Sequence, residues 1–187
     1  AKTVSKTIPS CTKKLVANGA YVLDFDDASS DYSSDYLSFA AEEPGSTISM
    51  QIFLEGRWTK ELPSLEYSFD KEVWTPFEIG KTTVTLPKIG DRVYFRAAQY
   101  NSSFNQDSEH RVTFVMTGKI AAGGNIMTLL DQNGLHDRVP NFAFSHLFSL
   151  CESLVSAPEL PARNLGMYCY EAMFLGCSAL AVAPELP

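Results

Sequence analysis

Between residues 148 and 187 the chain repeats itself at a spacing of 26 residues without a gap. Phe148, Cys151, Leu154, Ala157, Pro158, Glu159, Leu160 and Pro161 recur as Phe174, Cys177, Leu180, Ala183, Pro184, Glu185, Leu186 and Pro187, eight identities in fourteen aligned positions. A repeat of this length constrains the fold strongly. One unit cannot bury its apolar face alone, so successive units stack and share a continuous core.

Two patterns sit inside each unit. Leu165, Cys169 and Met173 lie four residues apart, with Tyr170 and Phe174 alongside; one period earlier the same places hold Val139, Ala143 and Leu147, with Phe144 and Phe148. This spacing predicts an apolar stripe on a short helix. Residues 154–157 then run into Pro158-Glu159-Leu160-Pro161, where the prolines stop a helix and hold the chain extended. Helix, short strand and turn at such a period predict a leucine-rich-repeat solenoid, with a helical hairpin of accidental similarity as the alternative. Phe148, Cys151, Leu154 and Leu160, and their counterparts Phe174, Cys177, Leu180 and Leu186, are its expected structural positions. Stacking would bring Cys151 and Cys177 to about one strand spacing, about 5 Å, with parallel side chains, which predicts buried thiols over a disulfide.

Tyr168-Cys169-Tyr170, Met173-Phe174, Cys177, Leu180 and Ala183-Pro184-Glu185-Leu186-Pro187 resemble the BspA-like leucine-rich repeats of bacterial surface proteins. The first copy is more degenerate, with Phe142-Ala143-Phe144 where the tyrosines and cysteine stand. Gly123-Gly124-Asn125-Ile126-Met127-Thr128-Leu129-Leu130 resembles the segment leading into such repeats, as do Leu65-Glu66-Tyr67-Ser68-Phe69-Asp70 and Trp74-Thr75-Pro76. The resemblance thus covers residues 36–187. It implies a secreted or cell-surface protein that adheres to a host, matrix or other surface protein.

Upstream of the repeat, apolar residues alternate with polar ones in short runs. Ile48, Met50 and Ile52 form one run, Leu65, Tyr67 and Phe69 another, followed by Val93, Phe95 and Ala97, then Val112, Phe114 and Met116. Residues 36–40, residues 74–77 and the pair Val84 and Leu86 add further strands, with turn signals at Pro44-Gly45 and Gly90-Asp91. The pattern predicts an antiparallel β-sandwich over residues 36–122. Residues 123–187 are then the start of the solenoid, entered through a strand or half-strand over residues 125–130. Residues 1–35 are expected to be an extended lead-in with an edge strand and an acidic connector. The expected fold is therefore mixed α/β by content, a sandwich followed by a short helix–strand solenoid.

Composition narrows the function. With 45% hydrophobic and 20% charged residues the chain is a core-forming one, and a net charge of −7 with pI near 4.9 excludes the basic footprint that nucleic acid or anionic lipid requires. No apolar run is long enough to span a membrane. Ala1-Lys2-Thr3-Val4-Ser5 lacks the apolar core of a secretion signal.

No catalytic constellation is present, so no enzyme and no cofactor are expected. His110, His136 and His146 are scattered, and His136-Asp137 beside Asn133-Gly134 suits turn decoration better than a base and its orienter. Asp24, Asp26, Asp27 and Asp31 form a weak calcium candidate; without a turn glycine or a closing glutamate they fit a solvated connector better. Trp58, in a long loop, and Tyr100 are candidates for an exposed platform for sugar rings, with Trp74 and Tyr94 as further aromatics and core packing as the competing role. Glu159 and Glu185 recur at one repeat position, which implies a shared solvent-facing or capping role and makes them binding candidates. Asn101-Ser102-Ser103 matches a glycosylation sequon. Together these features predict a non-catalytic protein that binds another protein through its repeats; the alternative is a carbohydrate-binding module acting through loop aromatics. Leu180, Val182 and Leu186 would lie on an uncapped end, which predicts either further repeats or self-association there.

Overall fold

The computed structural model describes residues 6–8, 11–15, 21–24, 35–54, 58–102 and 104–186. They fall into two units, residues 1–33 and residues 34–187. In the first, β1 (Lys6–Ile8), β2 (Cys11–Leu15) and β3 (Tyr21–Asp24) form an antiparallel sheet in that order.

In the second unit the alternating runs become strands: β4 (Leu37–Ala41), β5 (Ser46–Ile52), β6 (Leu65–Ser68), β7 (Thr75–Phe77), β8 (Thr83–Leu86), β9 (Arg92–Ala97) and β10 (Val112–Thr117). Then come β11 (Ile120–Gly123), β12 (Arg138–Val139), β13 (Leu154–Ser156) and β14 (Asn164–Leu165). One sheet has the order β10-β5-β8, a larger one β13-β11-β4-β9-β6-β7, and β12 pairs with β14. Side chains on successive strand residues point to opposite faces, so Ile48 and Met50, Val84 and Leu86, and Val93, Phe95 and Ala97 are buried together. Phe39 and Phe95 of the larger sheet meet Phe114 of the smaller one edge-on, with centroids 5.0 and 5.7 Å from it. These rings hold the two sheets face to face.

The repeat is not helical. Over residues 141–150 and 167–176 the backbone is a ribbon of successive turns. Alternate N–H groups bond three residues back: Ser145 to Phe142, Leu147 to Phe144, Ser149 to His146 and Cys151 to Phe148, at 3.0–3.2 Å. The N–H groups between them leave the ribbon. Those of Phe142, Phe144, His146, Phe148 and Leu150 donate to the carbonyls of Met167, Cys169, Glu171, Met173 and Leu175 at 2.7–2.9 Å. The parallel β12·β14 pairing has the same register, Arg138 with Asn164 and Val139 with Leu165. Rings stack in step: Phe142 on Tyr168 at 5.2 Å, Phe144 on Tyr170 at 6.1 Å, Phe148 on Phe174 at 5.5 Å. The 26-residue repeat is thus a first coil, residues 138–163, with a second, residues 164–186, laid on it.

The first coil in turn lies on the sheets. Phe114 N–H donates to Leu147 O at 2.8 Å, β13 pairs parallel with β11, and Phe148 stacks on Phe114 with centroids 5.3 Å apart. The cysteines mark equivalent places. Cys151 Sγ donates to Phe114 O at 3.1 Å, and Cys177 Sγ makes the same contact one layer on, to Phe148 O at 3.0 Å. Both are free thiols. Gly166 lets the coils close, because a Cβ there would meet Asn141 N at 2.6 Å.

The expected fold is therefore corrected: the chain is β-rich, and no helix–strand leucine-rich-repeat solenoid is present. Among the described residues the helical segment is a single 3-10 turn, Ile126–Leu129, lying where a strand was expected. The reason is a coincidence of periods. Val139, Ala143, Leu147 and Cys151 are all buried at four-residue spacing, which suits a helix but equally suits a ribbon that returns every four residues. The ribbon takes positive φ at Phe142, His146 and Leu150, and 26 residues later at Tyr168, Ala172 and Gly176. No right-handed helix accommodates that.

Phe148 is fully buried between Phe39, Phe114 and Phe174. Phe148→Ala is expected to lower stability by about 3–5 kcal/mol, and Phe174→Ala, at the half-exposed end of the stack, by clearly less. Denaturant midpoints of the two variants check this order.

Candidate interaction surfaces

Two surfaces of the second unit offer more than ordinary solvation. The first is the outer side of the second coil. Leu165, Met167, Tyr168, Leu175, Val182 and Leu186 are all exposed, Val182 to 75% and Leu186 to 61%. Leu186 also lines an apolar groove of about 340 Å³, together with Leu160, Tyr170, Ala172, Met173 and Phe174. The two copies of the repeat differ because the first lies between the sheets and the second coil, whereas the second, among the described residues of this unit, is covered on the side of the first alone. Leu154 and Leu160 are buried, whereas Leu180 is half-buried and Leu186 exposed. The Tyr170 hydroxyl is enclosed with no hydrogen-bond partner among the described residues, and burial raises its pKa.

The second surface is a polar cleft of about 400 Å³ lined by Lys60, Tyr100, Ser102, His136, Arg138 and Asn141. Tyr100 is 56% exposed and its ring lies 4.9 Å from that of His136 at a 41° tilt. A ring face flanked by cations and an amide suits a sugar ring, by stacking and hydrogen bonding. Nothing in the sequence near Tyr100 points to His136; the fold joins them across the loop before β12.

The other nominated residues sit elsewhere. Trp58 is half-buried against the core, and its indole N–H donates to Phe53 O at 2.8 Å. Trp74 is covered by the Arg96 guanidinium 3.9 Å from its ring and by Tyr36 edge-on at 4.8 Å. Lys71 Nζ lies over Tyr94 at 4.6 Å. Glu159 turns an exposed carboxylate to solvent while its backbone bridges Asn125: its N–H donates to Gly124 O at 2.9 Å and its carbonyl accepts from Ile126 N–H at 3.2 Å. Glu185 is exposed. Asp24 closes β3, and Asp26, Asp27 and Asp31 lie outside the described residues. Among the described residues no three His, Cys, Asp or Glu side chains converge as a metal site, and no helix is long and apolar enough to cross a membrane.

The sequon asparagine has a structural task. Asn101 is buried, its Nδ2 donating to Leu129 O at 2.8 Å and to Ser64 O at 3.2 Å, and its Oδ1 accepting from Ser64 N–H at 3.0 Å. A glycan on that nitrogen would replace one of its two N–H donors at a buried site. The histidines are likewise separated. His136 faces Asp131 at 3.9 Å, while Asp137 accepts from Asn164 Nδ2 at 2.7 Å. His110 Nδ1 lies 2.9 Å from Asp107. Burial would raise the Asp107 carboxyl, but the His110 backbone N–H, the His110 ring and the Glu109 N–H outweigh it and lower it to about 2. Burial, helped by Cys177, pushes the Cys151 thiol up to about 12, which leaves it unreactive.

No protein-family model matches the chain, and no curated protein or solved structure does so either.

His146 makes the coils sensitive to pH. Burial, and then the Arg111 charge, lower its pKa below the ordinary value of 6.5, against the opposing pull of Glu171. As pH falls below about 6.5 the unfolded chain binds the proton more readily than the folded one, so stability is complete above that pH and declines below it. The denaturant midpoint is expected to fall between about pH 7.5 and about pH 5.5. His146→Asn, which tolerates the positive φ, should flatten the slope over that window.

Proposed function

We propose that this chain is a non-catalytic recognition module, displayed on a cell surface or secreted, that binds another protein through its stacked coils. The observation that carries the reading is the set of large apolar side chains that the second coil exposes, Leu165, Met167, Tyr168 and Leu175, together with the groove lined by Met173 and Phe174. Exposed apolar surface gathered on one element marks contact sites between proteins. The resemblance of the repeat residues to BspA-like proteins of bacteria supports adhesion as the setting. A second reading, a carbohydrate-binding module, draws on the tilted Tyr100–His136 pair over the polar cleft, and so moves the sugar platform from Trp58 to Tyr100.

A binding panel of extracellular-matrix proteins and polysaccharides separates the two. The expected result is saturable binding to a protein, weakened at least about tenfold (about 1.4 kcal/mol) by the pair Met167→Asp and Leu175→Asp, and unchanged by Tyr100→Ala. Binding to glycans alone, lost with Tyr100→Ala, would move the function to the cleft. Silence across the panel counts against both readings.

A further inference from the structure

The cleft beside Tyr100 has walls that the fold sets firmly. Three segments form them, residues 60–63, residues 99–102 and residues 136–141. Buried Asn101 ties the first two to the 3-10 turn: its side chain bonds the N–H and the carbonyl of Ser64 and the Leu129 carbonyl, and its own N–H donates to Leu130 O at 2.8 Å. Gln132 Nε2 donates to Ala98 O at 2.9 Å and fixes the same loop again. Asp131 shapes the third segment, its carboxylate accepting from the Asn133 N–H at 2.8 Å and from the His136 N–H at 3.3 Å. Walls set before a ligand arrives lower the ordering cost of binding.

The lining is sorted by charge. The compartment of about 400 Å³ carries Lys60, His136 and Arg138 and, among the described residues, no carboxylate, although the chain as a whole has a net charge of −7. The acids on either side of His136 are engaged elsewhere: Asp131 by the turn it organises, Asp137 by Asn164 Nδ2 at 2.7 Å. The exposed Arg138 guanidinium has no hydrogen-bond or ion-pair partner among the described residues. Asn141 Oδ1 accepts from Met167 N–H at 2.9 Å, which leaves both hydrogens of its Nδ2 for a ligand.

A second compartment, of about 320 Å³, continues the first across Tyr100; Lys60, Tyr100 and Ser102 line both. Leu62, Pro63 and Gln99 make it mainly neutral, and Glu61 is the one acid among the described residues of either compartment. An exposed ring between two polar compartments offers its face to a ring-shaped, hydroxyl-bearing unit whose neighbours reach to both sides. A small inorganic anion would occupy the cationic compartment and leave Tyr100 and the second compartment unused.

We propose that this trough binds an acidic glycan, with a carboxylate-bearing sugar in the cationic compartment and a neutral sugar across Tyr100 against Leu62 and Pro63. The sugar carboxylate sits on Arg138, whose planar guanidinium matches it with two parallel N–H···O bonds. Glu61 repels a second acid from the neutral compartment, so chains that alternate acidic and neutral units are favoured. The inference rests on the carbohydrate reading of the cleft, to which it adds the ligand's charge and order, and it is independent of the protein-binding reading of the coils.

The test titrates the full chain with a hyaluronan hexasaccharide, which alternates uronic acid and a neutral amino sugar, and with the same oligosaccharide after its carboxylates are reduced to alcohols. Saturable binding of the acid is expected, weakened at least about tenfold by the reduction and to the same extent by Arg138→Gln. Arg138→Gln should leave the thermal midpoint and the binding of the reduced form unchanged, while Tyr100→Ala weakens both forms. An all-acidic oligogalacturonate should bind less tightly than hyaluronan. Equal binding of the acid and reduced forms would overturn the proposal and leave the carbohydrate reading standing. Displacement by equimolar inorganic phosphate or by an oligoglutamate would also overturn it, because the cleft would then be a plain anion site. Silence of every sugar at millimolar concentration would sink both.

Discussion

The two ribbons of the repeat region depend on the way their alternate peptide units are set, with carbonyls toward the preceding layer and N–H groups away from it. Turning every second unit across the ribbon requires residues in the left-handed region, and Phe142, His146, Leu150 and Tyr168 take that conformation without being glycine. Such positions are unfavourable in isolation. They persist because the first ribbon places the N–H groups of Phe142, His146 and Leu150 on carbonyls of the second, while Phe142, Phe144 and Phe148 stack on Tyr168, Tyr170 and Phe174. Tertiary bonding, and not local preference, holds this backbone.

The sheets prepare the first layer of that stack. β11 pairs antiparallel with β4 on one side and parallel with β13 on the other, so the larger sheet changes from meander to stack across a single strand. β10 does the same for the smaller sheet, pairing with β5 along one edge and meeting Leu147 along the other. Asn125 pins the layers where they meet: it is buried, its Oδ1 accepts from Met127 N–H at 2.8 Å, its Nδ2 donates to Gly134 O at 3.2 Å, and its backbone bridges Tyr36 and Glu159. Gly124 before it has φ of +74°, and a Cβ there would lie 2.1 Å from Tyr36 O.

The strands were legible because alternation has one physical meaning: Ile48 and Met50, or Val93, Phe95 and Ala97, fit a half-buried strand and little else. The repeat itself was legible as identity at fixed spacing. Its conformation was not. Apolar residues every fourth place fit two backbones, and the residues at the left-handed sites are Phe, His, Leu, Tyr and Ala, with Gly176 alone giving a compositional hint. The aromatic candidates failed differently. Loop position suggested an open Trp58, but a loop can fold its tryptophan back onto the core, and the ring that stays open, Tyr100, finds its partner His136 only through the fold.

The coil boundary has a consequence for how such a chain can change length. The second coil shows on its outer side the kind of surface that it covers on the first, rings above rings and N–H groups above N–H groups. Adding or removing a whole unit of 26 residues would leave both neighbouring junctions chemically the same. An insertion within a ribbon that is not a multiple of its four-residue return would shift Phe142, His146 and Leu150 out of step with Tyr168, Ala172 and Gly176. Length in this architecture is quantised, and a gene duplicating one unit in frame would extend the protein without having to invent a new interface.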